Sequence, residues 1–134
     1  MPKKAALIDK AQLRDEWIAC VKALHSDIRK WAKTKRWPVD EEEKEVAEEL
    51  TGPYPIPLLK VKTTGGILYV DPVARDVLGA DGRVDIYSWP SLQRLLLIRQ
   101  HGQWTLQTDS GVEWPEAWDR ETFIRLAQQL TRNP

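Results

Sequence analysis

Residues 84–114 read Val84-Asp85-Ile86-Tyr87-Ser88-Trp89, Pro90-Ser91, Leu92-Gln93-Arg94-Leu95-Leu96-Leu97-Ile98-Arg99-Gln100, His101-Gly102, Gln103-Trp104-Thr105-Leu106-Gln107-Thr108-Asp109 and Ser110-Gly111-Val112-Glu113-Trp114. Three runs of six to nine residues are parted by two-residue breaks at Pro90-Ser91 and His101-Gly102. Short runs rich in β-branched, aromatic and leucine residues, punctuated by Pro and Gly, predict an antiparallel meander. Val84, Ile86 and Ser88 alternate with Asp85, Tyr87 and Trp89, and Trp104, Leu106 and Thr108 alternate with Thr105 and Gln107. The run Leu95-Leu96-Leu97-Ile98 does not alternate, so it reads as a central strand covered on both faces.

Upstream of the meander, residues 58–63 and 67–71 flank Thr64-Gly65-Gly66, a hairpin signal. Asp71-Pro72 then reads as an N-cap followed by Pro at the first helical position. Val73, Val77 and Leu78 form the buried side of that short helix, Gly79 stops it, and residues 80–83 turn into the meander.

The N-terminal half reads as helical. Leu13, Trp17, Val21, Leu24, Ile28 and Trp31 recur at intervals of 4, 4, 3, 4 and 3, one face of a long amphipathic helix over about 9–35. Asp9 is placed to cap it, and Arg29, Lys30, Lys33, Lys35 and Arg36 crowd its last turns, which suits the macrodipole. Pro38 ends it by pushing Trp37 out of helical geometry. Asp40 with Glu43 resembles a capping box and predicts a second short helix to Leu50, stopped by Thr51-Gly52-Pro53. Pro53, Pro55 and Pro57 make 51–57 a stiff extended connector. A last helix is expected over 120–131, with Phe123, Leu126, Ala127 and Leu130 inward.

The fold expected is α+β: about five antiparallel strands, a hairpin plus a three-stranded meander, packed by a long N-terminal and a short C-terminal helix. The 134 residues suffice for one domain with a real core: a helical part over about 9–50, the connector 51–57, and a β-rich part with the terminal helix over 58–134.

Twenty basic and twenty acidic side chains cancel, so the chain exerts no general attraction on nucleic acid or anionic membrane. One cysteine, Cys20, allows no intrachain disulfide and points to a reducing compartment. No window approaches a membrane span, and the N-terminus has no signal-peptide core. A soluble, cytoplasmic protein is expected.

The tryptophans stand out among the chemistry-bearing residues. Trp37, Trp89 and Trp114 each precede a proline, and Trp118 follows Trp114 by four. A Trp beside Pro in a loop forms a flat apolar platform for proline-rich peptides, sugars or bases. The plainer reading is that Trp plugs the space between helix and sheet. Trp17, Trp31 and Trp104 lie on periodic faces and fit the core. Trp89, Trp114 and Trp118 lie on strand ends and loops and are the candidate partner contacts.

Charge is also polarised. Residues 29–36 carry five positive charges and no negative one, and 40–49 carry seven acids and one Lys. The blocks either pair within the chain, pair between copies, or leave Arg29, Lys33 and Arg36 to meet an acidic partner. Nucleic acid is not favoured, since no recognition helix or aromatic-interleaved basic strand accompanies them.

No catalytic or metal motif emerges. Asp71, Asp76, Asp81, Asp85 and Asp109 lack the acid-x-Lys partner of a metal nuclease, and Asp71, Asp76 and Asp81 read as a helix cap, a surface residue and a turn residue. Cys20 beside inward Val21 reads as an inert buried thiol. Ser110, His101 and Asp109 can be drawn as a triad, but the Gly-x-Ser-x-Gly elbow is absent. Gly65-Gly66 has no Lys-Ser/Thr after it and is no phosphate loop. No cofactor is expected.

Two functions fit these residues. One is a non-catalytic interaction or accessory protein that binds a protein partner or itself. A helix of about 26 residues spans roughly 39 Å, longer than a domain of this size is broad, which favours a homodimer. The other is a small-ligand-binding or hydrolytic enzyme whose pocket between sheet and helix takes its polar groups from Asp85, Tyr87, Arg94 and Arg99. Convergence of Asp85, Arg94 and Arg99 in a concave, partly buried site favours the enzyme; scatter over a solvated sheet face favours the interaction protein.

Overall fold

The computed structural model describes residues 9–89 and 93–132, so the Pro90-Ser91 break lies outside the described residues. The chain runs α1 (Lys10–Thr34), β1 (Val39–Glu48), β2 (Gly52–Lys62), β3 (Ile67–Ala74), β4 (Gly82–Ser88), β5 (Arg94–Gln100), β6 (Gln103–Thr108) and α2 (Arg120–Leu130). The fold is α+β as expected. The sheet has six strands rather than about five, in the order β1-β2-β3-β4-β5-β6, each antiparallel to its sequence neighbours.

Both helices begin on an aspartate. Asp9 Oδ1 accepts from Gln12 N–H at 3.0 Å, and Asp119 Oδ1 accepts from Thr122 N–H at 2.9 Å. That second bond holds the Asp119 carboxyl below its ordinary range. α1 does not run up to Pro38. It closes at Thr34, with Arg36 in the left-handed region at φ 60. Arg36 N–H donates to Lys33 C=O and Trp37 N–H to Ala32 C=O, the two bonds of a Schellman motif.

The stripe Trp17, Val21, Leu24, Ile28 and Ala32 is buried against Leu59, Val61, Leu68, Val70, Val84, Ile86, Leu97 and Leu106 of the sheet. α2 adds Phe123, Leu126, Ala127 and Leu130 to the same cluster and lies beside α1, where Arg120 donates to Thr34 Oγ1 at 2.9 Å. Most of α1's stripe is therefore spent within the chain, which weakens the length argument for pairing with a second copy.

Residues 39–48, expected as a helix, form β1. In a helix this acid run would place like charges three and four residues apart on one face. As a strand it lies along β2 from Val39↔Val61 to Glu48↔Gly52, and Lys60 reaches Glu42 at 2.5 Å. Glu48 itself is anchored: it accepts from Arg75 N–H at 2.9 Å, from Asp76 N–H at 2.8 Å, and from the Tyr54 hydroxyl.

The expected connector 51–57 is the first half of β2. Its prolines fit because of the ladder's phase. Lys62 N–H donates to Pro38 C=O at 2.9 Å. Bonded and non-bonded pairs alternate from there, so Pro53, Pro55 and Pro57 fall in non-bonded pairs with Ala47, Glu45 and Glu43. Their missing N–H groups point away from β1, toward a flank that β3 does not reach, since the β2–β3 pairing runs only from Lys62↔Ile67 to Leu59↔Val70.

The expected helix at 71–78 is also absent. β3 continues to Ala74 through a register irregularity between Pro72 and Ala74. Asp71 caps no backbone there, because Lys44 and the Tyr87 hydroxyl take its carboxylate. The β5–β6 turn is as read: His101 (φ 50) and Gly102 (φ 75) make a two-residue hairpin turn of the left-handed kind. Gly82 serves packing, since a Cβ there would stand 2.2 Å from the buried Trp17 ring.

Candidate binding site

The sheet face opposite the helices carries one cross-strand row, Asp40↔Lys60↔Tyr69↔Tyr87↔Arg94. The Tyr69 and Tyr87 rings stack at 5.3 Å and 17°. Lys60 lies 5.9 Å from the outer face of Tyr69, and the Arg94 guanidinium 5.1 Å from Tyr87. Cations thus close both ends of the tyrosine pair. Rings that stand off the sheet and stack on each other offer no open platform for a base.

The next row places Asp71 directly opposite Asp85. Each carboxylate has its own cations. Asp71 accepts from Lys44 at 2.5 Å and from the Tyr87 hydroxyl at 2.9 Å. Asp85, 2% exposed, accepts from Arg83 Nε and Nη2 at 2.7 and 3.1 Å and from Arg94 Nη1 at 2.7 Å. Burial, with the bond to Asp71, pushes the Tyr87 hydroxyl up to about 12, so it stays a donor at neutral pH.

Asp85, Tyr87 and Arg94 therefore lie together, but Asp85 is already held by Arg83 and Arg94, and the neutral Tyr87 hydroxyl donates to Asp71. Arg99 does not join them. It lies over the Trp104 ring at 5.2 Å and lines two clefts on the helix side of the sheet. One of these also holds Cys20, whose thiol is pushed up by burial against the opposing pull of Arg99. Among the described residues no three His, Cys, Asp or Glu side chains are grouped to hold a metal ion.

The tryptophans divide differently from expectation. Trp89 is 73% exposed at the end of β4. Trp114 and Trp118 are half-buried and touch the core. Trp118 meets Trp31 edge-on at 5.4 Å and Phe123 at 5.8 Å, so it also holds α1 to α2. Trp114 N–H donates to Leu106 C=O at 2.9 Å, which lays residues 112–114 along part of the β6 edge. Past Trp114 the chain leaves the edge, and an open groove of about 470 Å³ forms between β6 and residues 113–118. Trp104, Trp114, Trp118 and Pro115 line it, with Arg99 and Glu113 among its charged groups.

Sequence reasoning placed Trp104 in the core alone and missed that it shares this groove. The one available signal was the alternation that puts it on the helix side of β6. Arg29 pairs with Glu41 at 3.6 Å, which joins the basic end of α1 to the acidic strand. Lys33 and Arg36 are exposed and form no ion pair among the described residues. No described helix is long and apolar enough to cross a membrane. The chain matches no protein-family model, no curated protein and no solved structure.

Proposed function

We propose that this chain is a non-catalytic binding protein that takes an extended, proline-containing segment of a protein partner into the groove between β6 and residues 113–118. The observation that carries this reading is the convergence of three tryptophans and Pro115 on one open groove of about 470 Å³. Flat aromatic walls receive a polyproline-type segment with little loss of entropy, because both surfaces are already ordered. The zero net charge, and a groove whose charged groups among the described residues are Glu113, an Arg125-paired Glu116 and the single cation Arg99, do not favour a phosphate backbone in the same place. The alternative, a ligand-binding or hydrolytic pocket between sheet and helix, is less favoured because Asp85 is held by Arg83 and Arg94, the Tyr87 hydroxyl donates to Asp71, and Arg99 lies elsewhere.

The test is a titration of ¹⁵N-labelled protein with a proline-rich decapeptide, read on the seven indole N–H signals. Signals of Trp104, Trp114 and Trp118, assigned by single substitutions, are expected to shift, and those of Trp17 and Trp37 to stay. Ala117→Arg, at an exposed groove position, should abolish the shifts without loss of fold. Unmoved groove signals at millimolar peptide would refute the reading.

A further inference from the structure

β1 is the outermost strand of the sheet, and only one of its flanks is paired. The phase set by the Lys62–Pro38 bond makes 40/60, 42/58, 44/56 and 46/54 the bonded pairs. Val39, Glu41, Glu43, Glu45 and Ala47 therefore turn their N–H and C=O groups away from β2, and no described residue hydrogen-bonds to them. That is a free, unbulged edge across a ten-residue strand. Among the described residues neither helix nor loop is hydrogen-bonded along it.

The side chains flanking this edge are acidic on both faces. Glu42 is met by Lys60 and Glu41 by Arg29. Asp40, Glu43 and Glu45 are exposed and form no ion pair among the described residues. Lys44, the one cation in the strand, is turned to Asp71. A second copy of β1 on this edge would set acid against acid along its length, which is unfavourable at each directly opposed pair. Acidic edges keep copies of a protein apart, and the same charge attracts a strand of opposite sign.

We propose that the free edge of β1 receives a basic, extended segment of a partner protein as a seventh strand. Main-chain bonds to Glu41, Glu43 and Glu45 hold the segment, and lysine or arginine side chains answer the acids on either face. This site is separate from the tryptophan groove.

The probe is a fluorescein-labelled decapeptide of lysines among valines and threonines, followed by anisotropy at about 50 mM salt. Binding is expected, and N-methylation of alternate peptide amides should weaken it by about tenfold or more, since the lost bonds are those to the strand edge. Glu43→Pro removes an outward N–H without touching the bonds to β2, and should weaken binding as strongly. Glu43→Gln keeps the N–H and should cost about threefold or less. No binding of the parent peptide, or equal binding of the methylated one, would overturn the proposal. So would equal effects of Glu43→Pro and Glu43→Gln. Should Glu43→Pro fail to fold, the methylated peptide decides alone on the unaltered protein. Ala117→Arg should leave this binding unchanged. Its loss in that variant would move the peptide to the groove, and a dimer that Glu43→Pro dissociates would give the edge to a second copy; either result overturns the proposal.

Discussion

His25 should make this protein acid-sensitive in a defined window. It lies on the buried face of α1, 2% exposed, and among the described residues neither ring nitrogen has a hydrogen-bond partner. Burial, assisted by the nearby Arg29 charge, lowers its pKa to about 4. In the unfolded chain the ring protonates near 6.5. Between these values the unfolded state binds the extra proton, so stability is lost as pH falls from about 6.5 to about 4 and is fully present above that window. The whole gap is worth about 3 kcal/mol, of which about 2 kcal/mol is gone by pH 5.

His25→Leu removes the titration and also the two unpartnered nitrogens. Urea unfolding followed by tryptophan fluorescence, at pH 7 and pH 5 and constant ionic strength, isolates the effect. The native protein should lose about 2 kcal/mol more than the variant over that step, and at pH 7 the variant should be at least as stable. Carboxylates contribute equally to both proteins and cancel in the difference. Equal losses in the two proteins, or a His25 pKa above 6 by NMR, would refute the reasoning.

Two further substitutions test the cross-strand row and the end of α1. Asp85→Asn leaves Arg83 and Arg94 facing a neutral amide and should destabilise the fold by about 2 kcal/mol, less than a fully buried pair because water reaches both guanidinium groups. A urea midpoint within error of the native protein would show that the row contributes nothing. Arg36→Gly relieves a left-handed residue at φ 60 and should raise stability by about 1 kcal/mol. A fall in melting temperature would show instead that the arginine side chain supports the Schellman turn.

Much of the fold was legible wherever local chemistry and burial agree. The 4-4-3-4-3 spacing located α1, Asp9 located its start, and His101-Gly102 located the β5–β6 turn. These are signals within one helix or one hairpin, which the chain carries wherever it goes. The errors cluster at 39–57 and 71–78, where the deciding partner is distant in sequence. Asp40 with Glu43 has the form of a capping box, yet ten residues of β2 claim that backbone. The three prolines look forbidden in a sheet until the ladder's phase puts each of them in a non-bonded pair. Asp71 looks like a helix cap until Lys44, twenty-seven residues away, takes its carboxylate.

By itself, then, the sequence determined the class of the fold, the long helix and the final β-hairpin, because periodicity and turn chemistry are local. Only the tertiary structure decided which polar groups are free to act. Asp85 and Arg94 are brought together by strand register and pair with each other, Tyr87 is turned to Asp71, and Arg99 is sent to the opposite face by the strand's alternation. Trp104, Trp114 and Trp118 become one groove because the chain turns off the β6 edge after Trp114. Sheet register and the packing of side chains across it depend on residues far apart in the chain, and no local pattern encodes them.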